Sequence, residues 1–283
     1  MFKKLTYFAL VALVAASCSK SQDLTPVQVS VEDFLITIDT FSDTKATGVD
    51  SYSGVKALTL AFYDSNNTQA YKSTQMKESS GFGNFSLNLA PGSYTMVVLG
   101  YNLYDDDELT LTSPTLAEYT VNAPRETFAA TQVLNVTSTA ALNLTATLDR
   151  IIACLQVIST DGRTENANKV RMTFAAGGKQ FSPTTGLATA NTGSVSTVSN
   201  NFTVGTSSTS TGYVFLTSDT QTMDVTIETL DAQGNTIFSK TVENVPFQRN
   251  RKTKLTGAIY SASAAAGSFQ VNTEWLADYS DTF

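Results

Sequence analysis

The chain has 283 residues, of which 43 are Thr and 29 Ser, with no His, two Cys, one Trp and a formal net charge of -7. Without histidine there is no Ser-His-Asp or Cys-His machinery, no His-ligated metal and no imidazole pH switch. Two Cys cannot hold a Cys-rich metal site, and a negative balance argues against nucleic acid, whose binders carry a basic patch.

Met1-Phe2-Lys3-Lys4 is a short basic start, and Leu5 to Ala16 is an apolar run too short to span a bilayer as a helix. It ends in Val14-Ala15-Ala16-Ser17-Cys18, small residues followed by Cys. This is a lipobox: residues 1–17 read as a lipoprotein signal peptide and Cys18 as the lipidation site, bearing acyl chains such as palmitate. Residues 18–26 read as a polar, lipid-anchored tether. Cys154 then has no intramolecular partner and, within Ile151 to Ile158, reads as a small buried hydrophobe in a core strand.

Strand patterns dominate from there. Val27, Val29 and Val31 alternate, and Phe34, Ile36 and Ile38 continue on the other parity, so a bulge or break is expected near Glu32-Asp33. Lys56 to Tyr63 alternates into the turn cluster Asp64-Ser65-Asn66-Asn67. Phe85 to Leu89, Ala90-Pro91-Gly92 and Tyr94 to Leu99 read as a hairpin. Residues 101–130 are less regular.

Further strands are expected at 141–148, 151–158, 169–174, 213–216, 223–230, 236–242, 254–260 and 268–275. A turn is expected at Asp231 to Asn235, and 182–212 read as a long loop or weak hairpin. Short strands at this spacing predict an all-β chain of two tandem β-sandwich domains, at 27–136 and 137–283.

Several segments stand out in order: Asp43-Thr44-Lys45-Ala46-Thr47-Gly48 after the first strands, Leu58 to Asp64, Phe85 to Leu99, and Ala141 through Leu148-Asp149-Arg150-Ile151-Ile152-Ala153. The most specific is Asn244 to Gly257, with its Arg249-Asn250-Arg251-Lys252-Thr253 core, followed by Phe269, Val271 and Trp275. Together they resemble the fimbrillin family, the lipoprotein-sorted subunits and anchors of type V pili. The resemblance implies transthyretin-like (Greek-key) sandwiches and a structural role in the fimbrium on the cell outer membrane. It also implies removal of the first strand by proteolysis and assembly by strand donation, a form of β-augmentation.

By that resemblance the removable strand is Val27 to Thr40, and the donor is Ser268 to Phe283, with Phe269, Val271 and Trp275 on one parity. The family's cut follows an Arg, but no Arg precedes Arg125 and Lys45 stands at that position. Either another protease cuts between Lys45 and Ala46, or the chain stays uncut and lipid-retained as an anchor. Expected partners are other fimbrial subunits by strand exchange, the outer membrane through the N-terminal lipid, and a host or glycan ligand, with no nucleic acid.

Other motifs have plain readings. Asp105-Asp106-Asp107-Glu108 lacks the spacing that points carboxylates at one calcium, so it reads as a solvated loop and no metal site is assigned. The basic run 249–254 reads as a turn and strand start, and Gly177-Gly178 as a turn without phosphate-loop partners. Arg150 is expected to pair with a carboxylate across the domain junction. Trp275 and Tyr279 could stack on sugar, which keeps a surface glycan-binding lipoprotein as the alternative. No acid stands in a catalytic context, so the expected protein is not an enzyme and needs no cofactor.

Overall fold

The structure, a computed structural model, describes residues 25–39, 44–103, 109–120, 124–137, 140–199, 201–261 and 269–276. Cys18, the acidic run 105–108 and Tyr279 lie outside these. Among the described residues every regular element is a β-strand. The all-β expectation therefore holds.

The first half runs β1 (Val27–Val31), β2 (Leu35–Asp39), β3 (Thr44–Gly48), β4 (Ala57–Asp64), β5 (Gln69–Met76), β6 (Phe85–Leu89) and β7 (Gly92–Tyr101). It continues with β8 (Leu109–Ser113), β9 (Leu116–Tyr119), β10 (Thr127–Val136), β11 (Leu142–Leu144) and β12 (Thr147–Arg150). A three-stranded sheet, β11-β1-β6, faces a seven-stranded sheet, β3-β2-β12-β10-β7-β4-β5. Val29, Val31 and Leu87 from the small sheet share one apolar core with Leu60, Phe62, Met96, Val98 and Leu148 from the large one.

The expected break at Glu32-Asp33 is where the chain leaves one sheet for the other. Asp33 takes a left-handed backbone there (φ 55), a conformation short Asp side chains tolerate. The segment after β10 makes the same crossing. β11 runs parallel beside β1 and β12 parallel beside β2, so two segments change sheets side by side.

Two expectations change here. The 85–99 unit is not a hairpin: β6 pairs with β1, whereas β7 pairs with β4 and β10. A two-residue hairpin turn needs positive φ, which Pro91 forbids and Gly92 does not adopt, so the connection bridges the two sheets instead. And the boundary expected between residues 136 and 137 falls before β11 and β12, which are hydrogen-bonded into the sheets of the first half. Periodicity marks strands but does not say which sheet they join.

The second half holds β13 (Ala153–Ser159), β14 (Lys169–Phe174), β15 (Gln180–Phe181), β16 (Ser194–Ser199), β17 (Thr209–Val214) and β18 (Thr220–Leu230), then β19 (Thr236–Gln248), β20 (Lys252–Gly257) and β21 (Gln270–Leu276). Two four-stranded sheets, β17-β13-β20-β21 and β16-β14-β18-β19, enclose a second core that includes Leu155, Met172, Val225, Phe247 and Leu255. Each half thus stacks two sheets, consistent with sandwiches in tandem. The 182–212 stretch, expected as a long loop or weak hairpin, supplies β16 and most of β17, which lie in different sheets and so do not pair as a hairpin. Both are edge strands: β16 buries only Ser196, and β17 buries Ser210, Gly212 and Val214, so together they carry little apolar signal.

A third core joins the halves. The β8–β9 hairpin pairs with β15 of the second half, against the outer face of the large sheet. Ala61, Val97 and Leu99 meet Leu111, Tyr119, Ile152, Phe181 and Phe215 there. Phe181 and Phe215 stack at 4.1 Å between ring centroids.

Candidate functional site

Three places could carry function: the slot around β1, the C-terminal strand β21, and the junction between the halves.

β1 is the middle strand of its sheet, antiparallel to β6 over five residue pairs and parallel to β11 over three. Val27, Val29 and Val31 all point into the core, at 7%, 0% and 0% exposure. Phe34 and Ile36, just beyond the crossing, are also buried, and Phe34 packs edge-on to Phe85. Lys45 and Ala46 sit within β3, the edge strand of the large sheet, where Ile38 pairs with Lys45 and Thr37 with Ala46. The Lys45–Ala46 peptide is therefore part of a ladder rather than a loop tip.

β21 lies at the edge of its own chain's sheet, antiparallel to β20, with Leu255 opposite Val271. Phe269 and Val271 are partly buried against the second core. Gly257 leaves room for the Phe269 ring: a Cβ there would come within 2.7 Å of it. Val271 and Trp275 are on β21 and Phe269 immediately precedes it; the side chain of Trp275 lies outside the described residues, so only two of the three expected donor residues have a described environment.

At the junction, Arg150 at the end of β12 is the organising residue. Its Nε lies 2.9 Å from Glu126 Oε1, and both side chains are largely buried, at 12% and 4% exposure. Tyr52 donates its hydroxyl to the same carboxylate at 2.7 Å, and Arg150 Nη2 donates to the Tyr52 oxygen at 3.2 Å. The guanidinium also covers the Phe128 ring, 5.1 Å from its centroid. Its other arm crosses the junction: Nη1 donates to Asn250 Oδ1 at 3.1 Å. The expected carboxylate partner exists, but in the same half; the contact across the junction is an amide. Asn250 can hold this position because it takes a left-handed turn (φ 58) between β19 and β20. Glu126 and Tyr52 were not singled out from sequence. A buried Arg demands a carboxylate, yet nothing in the pattern says which of the 25 acids supplies it.

A cleft of about 560 Å³ opens beside this cluster, at the corner between the outer face of the large sheet and the second half. Thr37, Thr131, Thr147 and Asp149 form its floor, and residues 183–186 with Arg249 and Asn250 form its wall. Arg249 is held by Asp219 (2.8 Å) and by the Thr185 carbonyl (2.8 Å). Gly186 (φ 70) lets the wall close, since a Cβ there would come within 2.7 Å of Arg249 Nη1.

Cys154 is buried on β13 and its thiol is pushed up to about 12, chiefly by desolvation, which makes it a packing residue rather than a nucleophile. Among the described residues no cluster of three or more His, Cys, Asp or Glu gathers as a metal site. Nor is any described helix long and apolar enough to cross a membrane.

The model of a family of unknown function, DUF6562, matches residues 34–282, from just before β2 to near the C-terminus. The chain belongs to that family. No curated protein matches it. DUF6562 shares its fold with solved structures, including a candidate adhesin from Bacteroides ovatus. That protein is 14% identical, with a TM-score of 0.51 over 91% of this chain and 96% of the other. The fimbrial anchor protein Mfa2 from Porphyromonas gingivalis is 12% identical, with a TM-score of 0.50 over 90% of this chain and 100% of that one. A candidate polysaccharide-binding protein from Bacteroides thetaiotaomicron is 12% identical, with a TM-score of 0.50 over 88% and 97%. At these identities the likeness is one of fold. This DUF6562 chain thus has a fold that it shares with a protein described as a fimbrial anchor.

Proposed function

We propose that the chain is a structural, non-enzymatic subunit or anchor of a fimbrium, tethered to the outer membrane by acyl chains on Cys18 and assembled by strand exchange. The observation that carries this reading is β1: a short strand between β6 and β11 whose three valines fill the core. Val27, Val29, Val31, Phe34 and Ile36 each contribute about 1.5–3 kcal/mol by burial. Their sum rivals the whole stability of a domain, about 5–15 kcal/mol. A chain without them must unfold or accept another strand of the same chemistry. β21, an edge strand carrying Val271 and preceded directly by Phe269, is the segment available to donate. The shared fold with Mfa2, described as a fimbrial anchor protein, supports the same reading.

The ladder at Lys45–Ala46 favours the anchor over a polymerising stalk. Proteolysis prefers exposed loop tips, and here β3 would have to leave β2 first. The uncut chain keeps both β1 and its lipid.

Mass spectrometry of the mature N-terminus together with deletion of 268–283 tests the proposal. An acylated Cys18 and loss of co-purification with fimbriae upon deletion are expected. A mature protein beginning at Ala46 would refute the anchor assignment. Fimbrial assembly unaffected by the deletion would refute strand donation by this segment.

A further inference from the structure

The junction cleft is built from two halves that a buried apolar core and the Arg150–Asn250 bond hold together. Its position is therefore fixed before any ligand arrives. Its chemistry is narrow. The charged residues lining it are Asp149, Asp219, Arg150 and Arg249, and once the arginines are paired Asp149 is the one carboxylate left to face the cleft. Both guanidiniums are already engaged, Arg249 with Asp219 and Arg150 with Glu126. No cation is held in reserve for a phosphate, sulfate or sialate, which needs charge-assisted donors.

Some cross-strand threonines bond one another, as Thr59 with Thr74 at 2.7 Å and Thr226 with Thr241 at 2.9 Å, while others leave their hydroxyls to the surroundings. On the floor, Thr37, Thr131, Thr147 and Asp149 make no side-chain hydrogen bond among the described residues, and neither does Gln248 on the wall. Hydroxyl, carboxylate and amide groups turned into one cleft can both donate to and accept from a polyol. The paired strands β2, β12 and β10 space those groups in parallel rows about 4.8 Å apart, close to the length of one hexose.

We propose that this cleft binds a neutral oligosaccharide, laid across the threonine floor with Asp149 and Gln248 accepting from and donating to its hydroxyls. The floor carries no aromatic platform, so each site binds weakly, and attachment gains strength from many copies on one surface. The site shares Thr37 with the 27–40 segment but is separate from β21. Deleting 268–283 should therefore leave sugar binding in place, and the two readings fail independently.

The test is a glycan microarray probed with the full chain, followed by saturation-transfer NMR on the best neutral hit. Neutral glycans should be retained. Thr131→Val with Thr147→Val should lower affinity at least tenfold with the melting temperature unchanged. Should that pair fail to fold, Asp149→Asn on the exposed end of the floor carries the same expectation. Retention of anionic glycans only, no retention at all, or binding indifferent to these substitutions would overturn the proposal.

Discussion

Arg150 reaches from the last strand of the first half to Asn250 in the second, Nη1 to Oδ1 at 3.1 Å, while its Nε holds Glu126 at 2.9 Å. One guanidinium thus closes a buried ion pair and ties two sandwiches together.

Breaking that ion pair from one side leaves an uncompensated buried carboxylate. Arg150→Met should cost about 3 kcal/mol, the lower end for removing one partner of a buried pair. The double variant with Glu126→Leu should recover much of that loss. Urea denaturation of the single and double variants measures both, and a double variant no better than the single one would show that the contact to Asn250 carries the cost.

At alkaline pH the protein should weaken in a defined window. Burial holds Cys154 up to about 12 from an ordinary 9.0, Tyr63 up to about 12 from 10.0, and Tyr119 also above its ordinary value. Groups raised in the folded state favour folding fully below their unfolded pKa. Stability should therefore hold to about pH 9 and then fall as the unfolded chain releases protons that the native state retains. Denaturation midpoints across pH 7–11 check this.

Tyr63 offers a sharper version. Its hydroxyl is buried and makes no hydrogen bond among the described residues. Tyr63→Phe should be neutral or stabilising by about 1 kcal/mol at pH 7 and should flatten the alkaline decline. A loss of stability at neutral pH would point to an unseen partner for the hydroxyl.

Gly257→Ala should loosen the C-terminal strand without unfolding the domain. The new Cβ would meet the Phe269 ring at 2.7 Å, so Phe269 must move. The local overpacking is worth about 1–3 kcal/mol. Hydrogen exchange at 270–272 should speed up about tenfold or more, while β13 and β20 remain protected. If strand donation operates, this variant should also donate more readily.

On the acid side, Arg171 grips Glu228 bidentately across β14 and β18, at 2.6 and 2.7 Å, and holds its carboxyl below the usual 4.5. A carboxylate lowered this way stabilises the fold above its unfolded pKa and loses that contribution as pH falls through the folded one. Glu228→Gln should cost about 0.5–1 kcal/mol at pH 7, given the pair's partial exposure. The difference should vanish in strong acid, as paired denaturation curves at pH 7 and pH 2 would reveal.

Much of this was legible in the residues. The valine alternation at 27–31, the parity break at Glu32-Asp33 and the buried Cys154 all rest on side-chain period and size, which are local. The destination of each strand was not. Phe85 to Leu99 looks like a hairpin because Pro-Gly is a turn signal, yet pairing is decided by which sheet offers a partner. Leu142–Arg150 looks like the opening of a second domain because its alternation is strong, yet its partners are β1 and β2. Ser194–Ser199 looks like loop because an edge strand needs few apolar side chains. At the junction, Asn250 and Arg150 stand in motifs that could be named, whereas Glu126 and the unpaired threonines became visible only when distant strands met.

The parallel pairing of β1 with β11 has a consequence for how the chain is made. Ser30 and its partner Asn143 are 113 residues apart. At 5–20 residues per second, β1 is synthesised about 6–23 s before that neighbour exists. The first strand of the fold is thus the longest without its full complement of neighbours, and any passing strand of matching pattern meets it during that interval.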